Sequence, residues 1–159
     1  MKIFTIGVYN STELQFFKKL TENNIDTFCD IRQRRGVRGR DYAFVNSIYL
    51  QQKLKNIGIN YSHILSLAPT AEIREKQKAE DTKLGEHKRD RNKLGKVFSD
   101  EYKKNIICKF DFNSFVEQLE NMGAENVAFL CVEEKASACH RSIVAEEMKK
   151  RYHYEVIHL

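Results

Sequence analysis

Two short stretches of this chain concentrate residues that can do chemistry. The first is Asp30-Ile31-Arg32, followed by Arg34, Arg35, Arg38 and Arg40, with Tyr42 and Phe44 just beyond. Residues i and i+2 of an extended chain point the same way, so Asp30 and Arg32 can share a face and one can orient the other. Arginine presents a planar fork that grips phosphate with two parallel hydrogen bonds. Gly36 and Gly39 allow turns and close backbone approach, and Tyr42 and Phe44 are of the type that stacks on a base. The second stretch is Cys131-Val132-Glu133-Glu134-Lys135-Ala136-Ser137-Ala138-Cys139-His140-Arg141. It holds two thiols, an imidazole, carboxylates and a guanidinium. A thiol at a helix N-terminus loses its proton more easily and becomes a nucleophile or a metal ligand. Histidine can act as a base near neutral pH, and Arg141 can neutralise a phosphate or a carboxylate.

Competing readings exist for both stretches. Arg34, Arg35 and Arg38 read by default as hydrated charges on a loop, whereas Arg32 stands too near a strand end for that. Cys131 and Cys139 can be small buried hydrophobes, as free cysteines often are. A zinc site would need Cys139 and His140 to be joined by Cys29 or Cys131. The chain has no Cys-x-x-Cys pair and no His-x-x-x-His, so such ligands must converge from separate loops. The reading as a substrate site ranks first and the zinc site last, and no cofactor is expected.

The elements around these stretches follow from periodicity. Ile3–Gly7 reads as a strand. Ser11-Thr12-Glu13 opens a helix carrying Leu14, Phe16, Phe17 and Leu20, closed by Asn23-Asn24. Ile25–Ile31 is a second strand, with Phe28 and Ile31 turned inward. Ser47–Ile57 repeats Ile48, Leu50, Leu54 and Ile57 at helical spacing, with Gly58 as its C-terminal cap. Ile59–Ile64 is a third strand. About 70–96 the chain is highly charged and lacks apolar periodicity; from 71 to 96 there are nine basic and six acidic residues. That segment reads as a solvated helix or a mobile excursion. Helices follow over Val97–Cys108 and from an Asn113-Ser114 cap. Val127–Val132 is an unbroken apolar run, as in a strand buried on both faces. A helix over Cys139–Arg151, with Ile143, Val144 and Met148 inward, and a strand over 156–159 complete the chain. Strands alternating with helices predict an α/β fold: a single domain over 1–159 with an open, mainly parallel sheet and helices on both faces, a Rossmann-like layout. Ligands bind such sheets at the carboxyl ends of the strands. Both chemistry-bearing stretches follow strand ends.

Composition narrows the classes. In 159 residues, hydrophobic content is 42% and charged content 31%, which describes a globular chain and not a disordered one. No apolar run approaches the ~20 residues of a membrane helix. The apolar start Met1–Gly7 is too short for a secretory signal, so the expected compartment is the cytoplasm. Cys29, Cys108, Cys131 and Cys139 are too sparse for a disulfide scaffold. A formal net charge of +5 and a pI near 9.0 favour an anionic partner, either a phosphate-bearing small molecule or nucleic acid.

Phe129-Leu130-Cys131-Val132-Glu133, the spacing to Cys139-His140-Arg141, and the closing Val156-Ile157-His158 resemble the DUF488 family, a domain of unknown function. That family carries a Leu-Cys-x-Glu…Cys-His-Arg segment followed by a helix and a last strand. Thr5-Ile6-Gly7, Asp30-Ile31-Arg32, Phe44 and Gly58-Ile59-Asn60-Tyr61 match its earlier signposts, so the resemblance covers essentially the whole chain. The sequence departs from the family pattern at Val8-Tyr9, at Arg34-Arg35, at Leu67-Ala68-Pro69 and at Ala136. A looser likeness of layout extends to rhodanese-type domains.

The expected function is an enzyme, a thiol-dependent hydrolase or transferase, acting on a nucleotide, nucleic acid or other phosphorylated substrate. Cys131, Glu133, Cys139, His140 and Asp30 are its candidate catalytic residues. Arg32, Arg34, Arg141, Tyr42 and Phe44 are its candidate binding residues. The alternative is a non-catalytic nucleic-acid-binding or regulatory module.

Overall fold

The computed structural model describes residues 1–37, 39–85 and 91–159. Arg38 and residues 86–90, including Lys88 and Arg89 of the charged segment, lie outside the described residues. Five strands form one sheet: β1 (Lys2–Ile6), β2 (Thr27–Asp30), β3 (Asn60–His63), β4 (Asn126–Leu130) and β5 (Glu155–His158). The order across the sheet is β3-β2-β4-β1-β5 and every pairing is parallel. This is the α/β fold with an open sheet that the alternation of strands and helices predicts.

Side-chain alternation divides the sheet into two faces. On one face Ile3, Cys29, Ile31, Val127 and Phe129 join a core with α3 (Ala71–Leu84), α4 (Lys96–Asn105), α5 (Phe112–Asn121) and α6 (His140–Tyr152). On the other, Phe4, Ile6, Phe28, Ala128 and Leu130 pack against α1 (Glu13–Glu22) and α2 (Ser47–Asn56). Strand β4 is the middle strand; Val127 to Leu130 are buried whichever way they point, which explains the unbroken apolar run.

Several local expectations shift. Thr12 caps α1 and forms a capping box with Gln15. Phe16 and Leu20 are buried, but Leu14 is 78% exposed. In α2 only Leu50 and Leu54 are buried, while Ile48 and Ile57 stand on the outer side. Helix α5 begins earlier than an Asn113-Ser114 cap implies, because the Asp111 carboxylate accepts the Ser114 N–H at 3.0 Å. The charged segment is not wholly solvated. Within it α3 runs for 14 residues from a Thr70 cap to Gly85, and it buries Ile73, Gln77 and Asp81, each four residues from the last. Its inward face is mostly polar, so apolar periodicity missed it. Among the described residues, no helix is long and apolar enough to cross a membrane.

The topology creates the place for a site. After β2 the chain leaves through α2 toward β3 at the sheet edge. After β4 it leaves through α6, on the opposite face, toward β5. Neighbouring strands whose connections part in this way leave a crevice beyond their carboxyl ends. Asp30 and Leu130 are register partners at that point.

Phe16 anchors the α1 face, with rings of Phe17, Phe28 and Phe44 within 5.4–6.3 Å of its own. Phe16→Ala is expected to cost about 3–5 kcal/mol. Leu14→Ala, two residues away but facing outward, is expected to cost below about 0.5 kcal/mol. Urea unfolding of both variants checks which side of α1 carries the core.

Candidate functional site

Asp30 ends β2 fully buried and accepts four hydrogen bonds. Arg32 donates three of them, from Nε (2.8 Å) and backbone N (3.1 Å) to Oδ1 and from Nη2 (2.7 Å) to Oδ2. Tyr61 Oη donates the fourth, at 3.0 Å. Arg32 Nη2 also reaches the Val45 carbonyl at 2.9 Å. The i, i+2 pairing read from sequence is therefore real, but Asp30 serves as an anchor for Arg32 and is not among the residues lining the cleft. Arg32 is 3% exposed, and its other terminal nitrogen, Nη1, has no partner among the described residues.

Beyond β4, Cys131 and Cys139 come together around His140. The Nδ1 of His140 lies 3.7 Å from each sulfur. On the far side of the ring, Nε2 is 3.1 Å from the Ile31 carbonyl. A carbonyl can only accept, so in the neutral ring Nε2 carries the hydrogen and Nδ1 turns its lone pair to the two thiols. Tyr102, tied by its hydroxyl to the Leu67 carbonyl, meets the imidazole edge-to-face with centroids 5.3 Å apart. The Cys131 thiol donates to Glu133 Oε2 at 3.0 Å. Cys139 occupies the N-cap position of α6, where helix amides favour negative charge.

The two thiols differ in their acidity. Burial pushes Cys131 well above the usual thiol range, and neighbouring Cys139 and Glu133 push the same way. Burial also pushes Cys139 up, but its hydrogen bond with Cys131 and the adjacent His140 outweigh this and bring it down to about 6. For His140 burial acts downward, while Cys139 and Glu133 raise the imidazole above its usual value. Cys29 lies apart from this group in the core, where burial and Asp30 push its thiol up to about 12. The ligand atoms of Cys131, Cys139 and His140 all lie within 4.8 Å of one another, so among the described residues these three, without Cys29, are placed to share a metal ion.

These side chains line a cleft of about 660 Å³, closed on the outer side by α3. Its cationic lining comes from Arg32, Arg34, Arg74, Lys78 and Arg91. By sequence, Arg91 and Asp81 count only among the charges of the 71–96 segment, and Gln77 carries no signal of its own. In the structure Arg91 Nη1 meets Asp81 Oδ2 at 2.9 Å, and Nη2 donates to the Ala138 carbonyl at 3.0 Å and lies 3.5 Å from Glu133 Oε1. Gln77 bridges Asp81 and the Gly95 amide. The four-residue spacing of Ile73, Gln77 and Asp81 is the sequence signal that marks this face.

Three expected binding residues are placed elsewhere. Arg141 is 1% exposed, and its Nη1 and Nη2 donate to the Glu133 and Glu134 carbonyls, so it straps the loop from within. Phe44 is buried against Phe16 and lies away from this cleft. Tyr42 is half-buried beside Tyr9, with ring centroids 5.3 Å apart, and it lines a separate hollow between α1 and α2.

The fold and the site thus define a parallel α/β domain with a buried thiol–imidazole cluster at its topological switch point. A family model described as "Domain of unknown function DUF488" matches residues 14–148, and the chain belongs to that family. No curated protein and no solved structure matches the chain.

Gly7, which by sequence is only a strand end and a family signpost, lies tight against the cysteine-bearing loop. A Cβ there would stand 2.2 Å from the Glu133 carbonyl oxygen and 2.9 Å from that of Glu134. Gly7→Ala must therefore push the strapped loop outward, at an expected cost of about 2–3 kcal/mol. A urea midpoint equal to that of the unaltered protein would show that the loop does not need this close approach.

Proposed function

We propose that this protein is an enzyme, a hydrolase or transferase, acting on a phosphate-bearing substrate in the cleft beneath α3. The observation that carries this reading is Arg32. Its guanidinium is buried and held by Asp30, yet among the described residues its Nη1 lacks a partner, as does the Nε of Arg74 on the same cleft. Buried donors without partners are rare and call for a ligand, an ion or water. Arg91 leaves its Nε in the same state, and three cationic groups of this kind, with Arg34 and Lys78 beside them, suit a phosphate. The anion would then be held next to Cys131, Cys139, His140 and Glu133, where the reacting bond of a nucleotide, a nucleic acid or another phosphorylated compound would lie. His140 and Glu133 are placed to move a proton, and the thiols to meet the reacting atom.

Calorimetric titration with inorganic phosphate and mononucleotides tests the binding half. Arg34→Ala and Arg74→Ala are each expected to weaken binding about tenfold, the order of one charge-assisted hydrogen bond. Arg32→Lys, which keeps the charge and loses the fork, is expected to do the same. Binding unchanged in all three would place the anion elsewhere. Screening phosphorylated substrates tests the chemical half: Cys139→Ser is expected to lose turnover while keeping phosphate affinity. Steeply salt-dependent binding of single-stranded nucleic acid with no turnover of any substrate would instead favour the non-catalytic module.

A further inference from the structure

We infer that Cys131, Cys139 and His140 form a three-ligand site for one zinc-class divalent ion, with an open coordination position facing the cleft. This rests on the reading of that cluster as the reacting centre, and it makes the two thiols ligands that hold the ion against the reacting atom in place of nucleophiles. Geometry is the first ground. With Zn–S near 2.3 Å and Zn–N near 2.0–2.1 Å, a tetrahedral site separates sulfur from nitrogen by about 3.6 Å. His140 Nδ1 stands 3.7 Å from both sulfurs. All the donor atoms lie within 4.8 Å of one another, so one ion can reach all three with small side-chain movements.

The orientation of the imidazole is the second ground. Metal-bound histidines donate their remote N–H to a carbonyl or a carboxylate, which fixes the tautomer and turns the lone pair to the metal. The Nε2 contact with the Ile31 carbonyl at 3.1 Å does this for His140. Charge is the third ground. Two buried thiols lie within 4.8 Å of each other, one of them hydrogen-bonded to the buried Glu133 carboxylate, and one imidazole nitrogen faces both sulfurs. A divalent cation neutralises two thiolates and removes their mutual repulsion, and two sulfurs with one imidazole suit zinc better than magnesium or calcium. The donors come from the end of β4 and the start of α6, so folding assembles the site. Three protein ligands beside a cleft match the make-up of a catalytic zinc site and not of a closed structural one. Glu133, hydrogen-bonded to Cys131, then stands where it can orient a molecule at the open position.

The test uses the full-length protein, purified without added metal and kept reduced. Plasma mass spectrometry should find about one zinc per chain. After removal by a chelator, titration with Co(II) should saturate at one equivalent. It should give the intense visible bands of a tetrahedral site and a near-ultraviolet sulfur-to-cobalt charge-transfer band. Cys131→Ser and Cys139→Ser should each lose about half of that band or more and weaken zinc binding by roughly a hundredfold. Cys29→Ser and Cys108→Ser should change neither. The inference is overturned if the stripped, reduced protein takes up no Co(II), or if the band persists undiminished in both Cys131→Ser and Cys139→Ser. The titration is made on the unaltered chain, so misfolding of a variant cannot hide the answer. Phosphate titration of the same stripped sample separates the two readings. Phosphate binding that depends on Arg34 and Arg74, without metal uptake, removes the metal alone. Metal uptake without phosphate binding removes the phosphate reading alone.

Discussion

The 3.1 Å contact between His140 Nε2 and the Ile31 carbonyl joins the two halves of the site. Ile31 follows β2 and His140 opens α6, so the link spans 109 residues of chain. It sets the tautomer of the imidazole, and with it the direction in which the lone pair faces the two sulfurs. It also holds the arginine-bearing loop and the cysteine-bearing loop at one fixed separation. A histidine free to rotate would give up both properties together.

Around that link, buried arginines do different work according to what surrounds their forks. Arg141 spends its terminal nitrogens on backbone carbonyls and becomes a strap. Arg91 couples α3 to the loop before α6 through Asp81 and the Ala138 carbonyl. Arg32 divides itself between Asp30, the Val45 carbonyl and an Nη1 left over. The same guanidinium chemistry yields a structural tie in two cases and a candidate ligand contact in the third. Among the described residues each of the three leaves one nitrogen without a partner, Nε in Arg91 and Arg141 and Nη1 in Arg32, so the difference lies in which nitrogen is left over: in Arg32 it is a terminal one, beside the cleft.

Much of the fold was legible because the patterns are local. The apolar run 127–132, the period of Phe16 and Leu20, and the alternation of strands with helices each follow from where water is excluded. The charged stretch misled for the same reason. Ile73, Gln77 and Asp81 are inward at helical spacing, but two of them are polar, and hydropathy counts polar residues as outward. Their burial is offset by Arg91 and the Gly95 amide, partners supplied from outside the helix. Leu14 and Ile48 show the converse: apolar residues at plausible spacing stay outside because Phe16 and Leu20, and Leu50 and Leu54, set the opposite side of each helix against the sheet.

What the sequence by itself determined is the strands and the helices that bury an apolar face, and with them the fact that Asp30–Arg32 and Cys131–Arg141 both sit at strand ends. Residue type and spacing settle this, because strand and helix periods are properties of the local chain. Which of those residues face one another was decided only by the tertiary structure. Strand order places β2 beside β4, and that adjacency brings His140 to Ile31, while the turn from β4 into α6 folds Cys139 back beside Cys131 and α3 packs across the cleft they line. Arg141 and Phe44 look like ligand residues in a linear reading. Burial assigns them to the loop and the core, because a side chain's partners depend on neighbours far away in sequence.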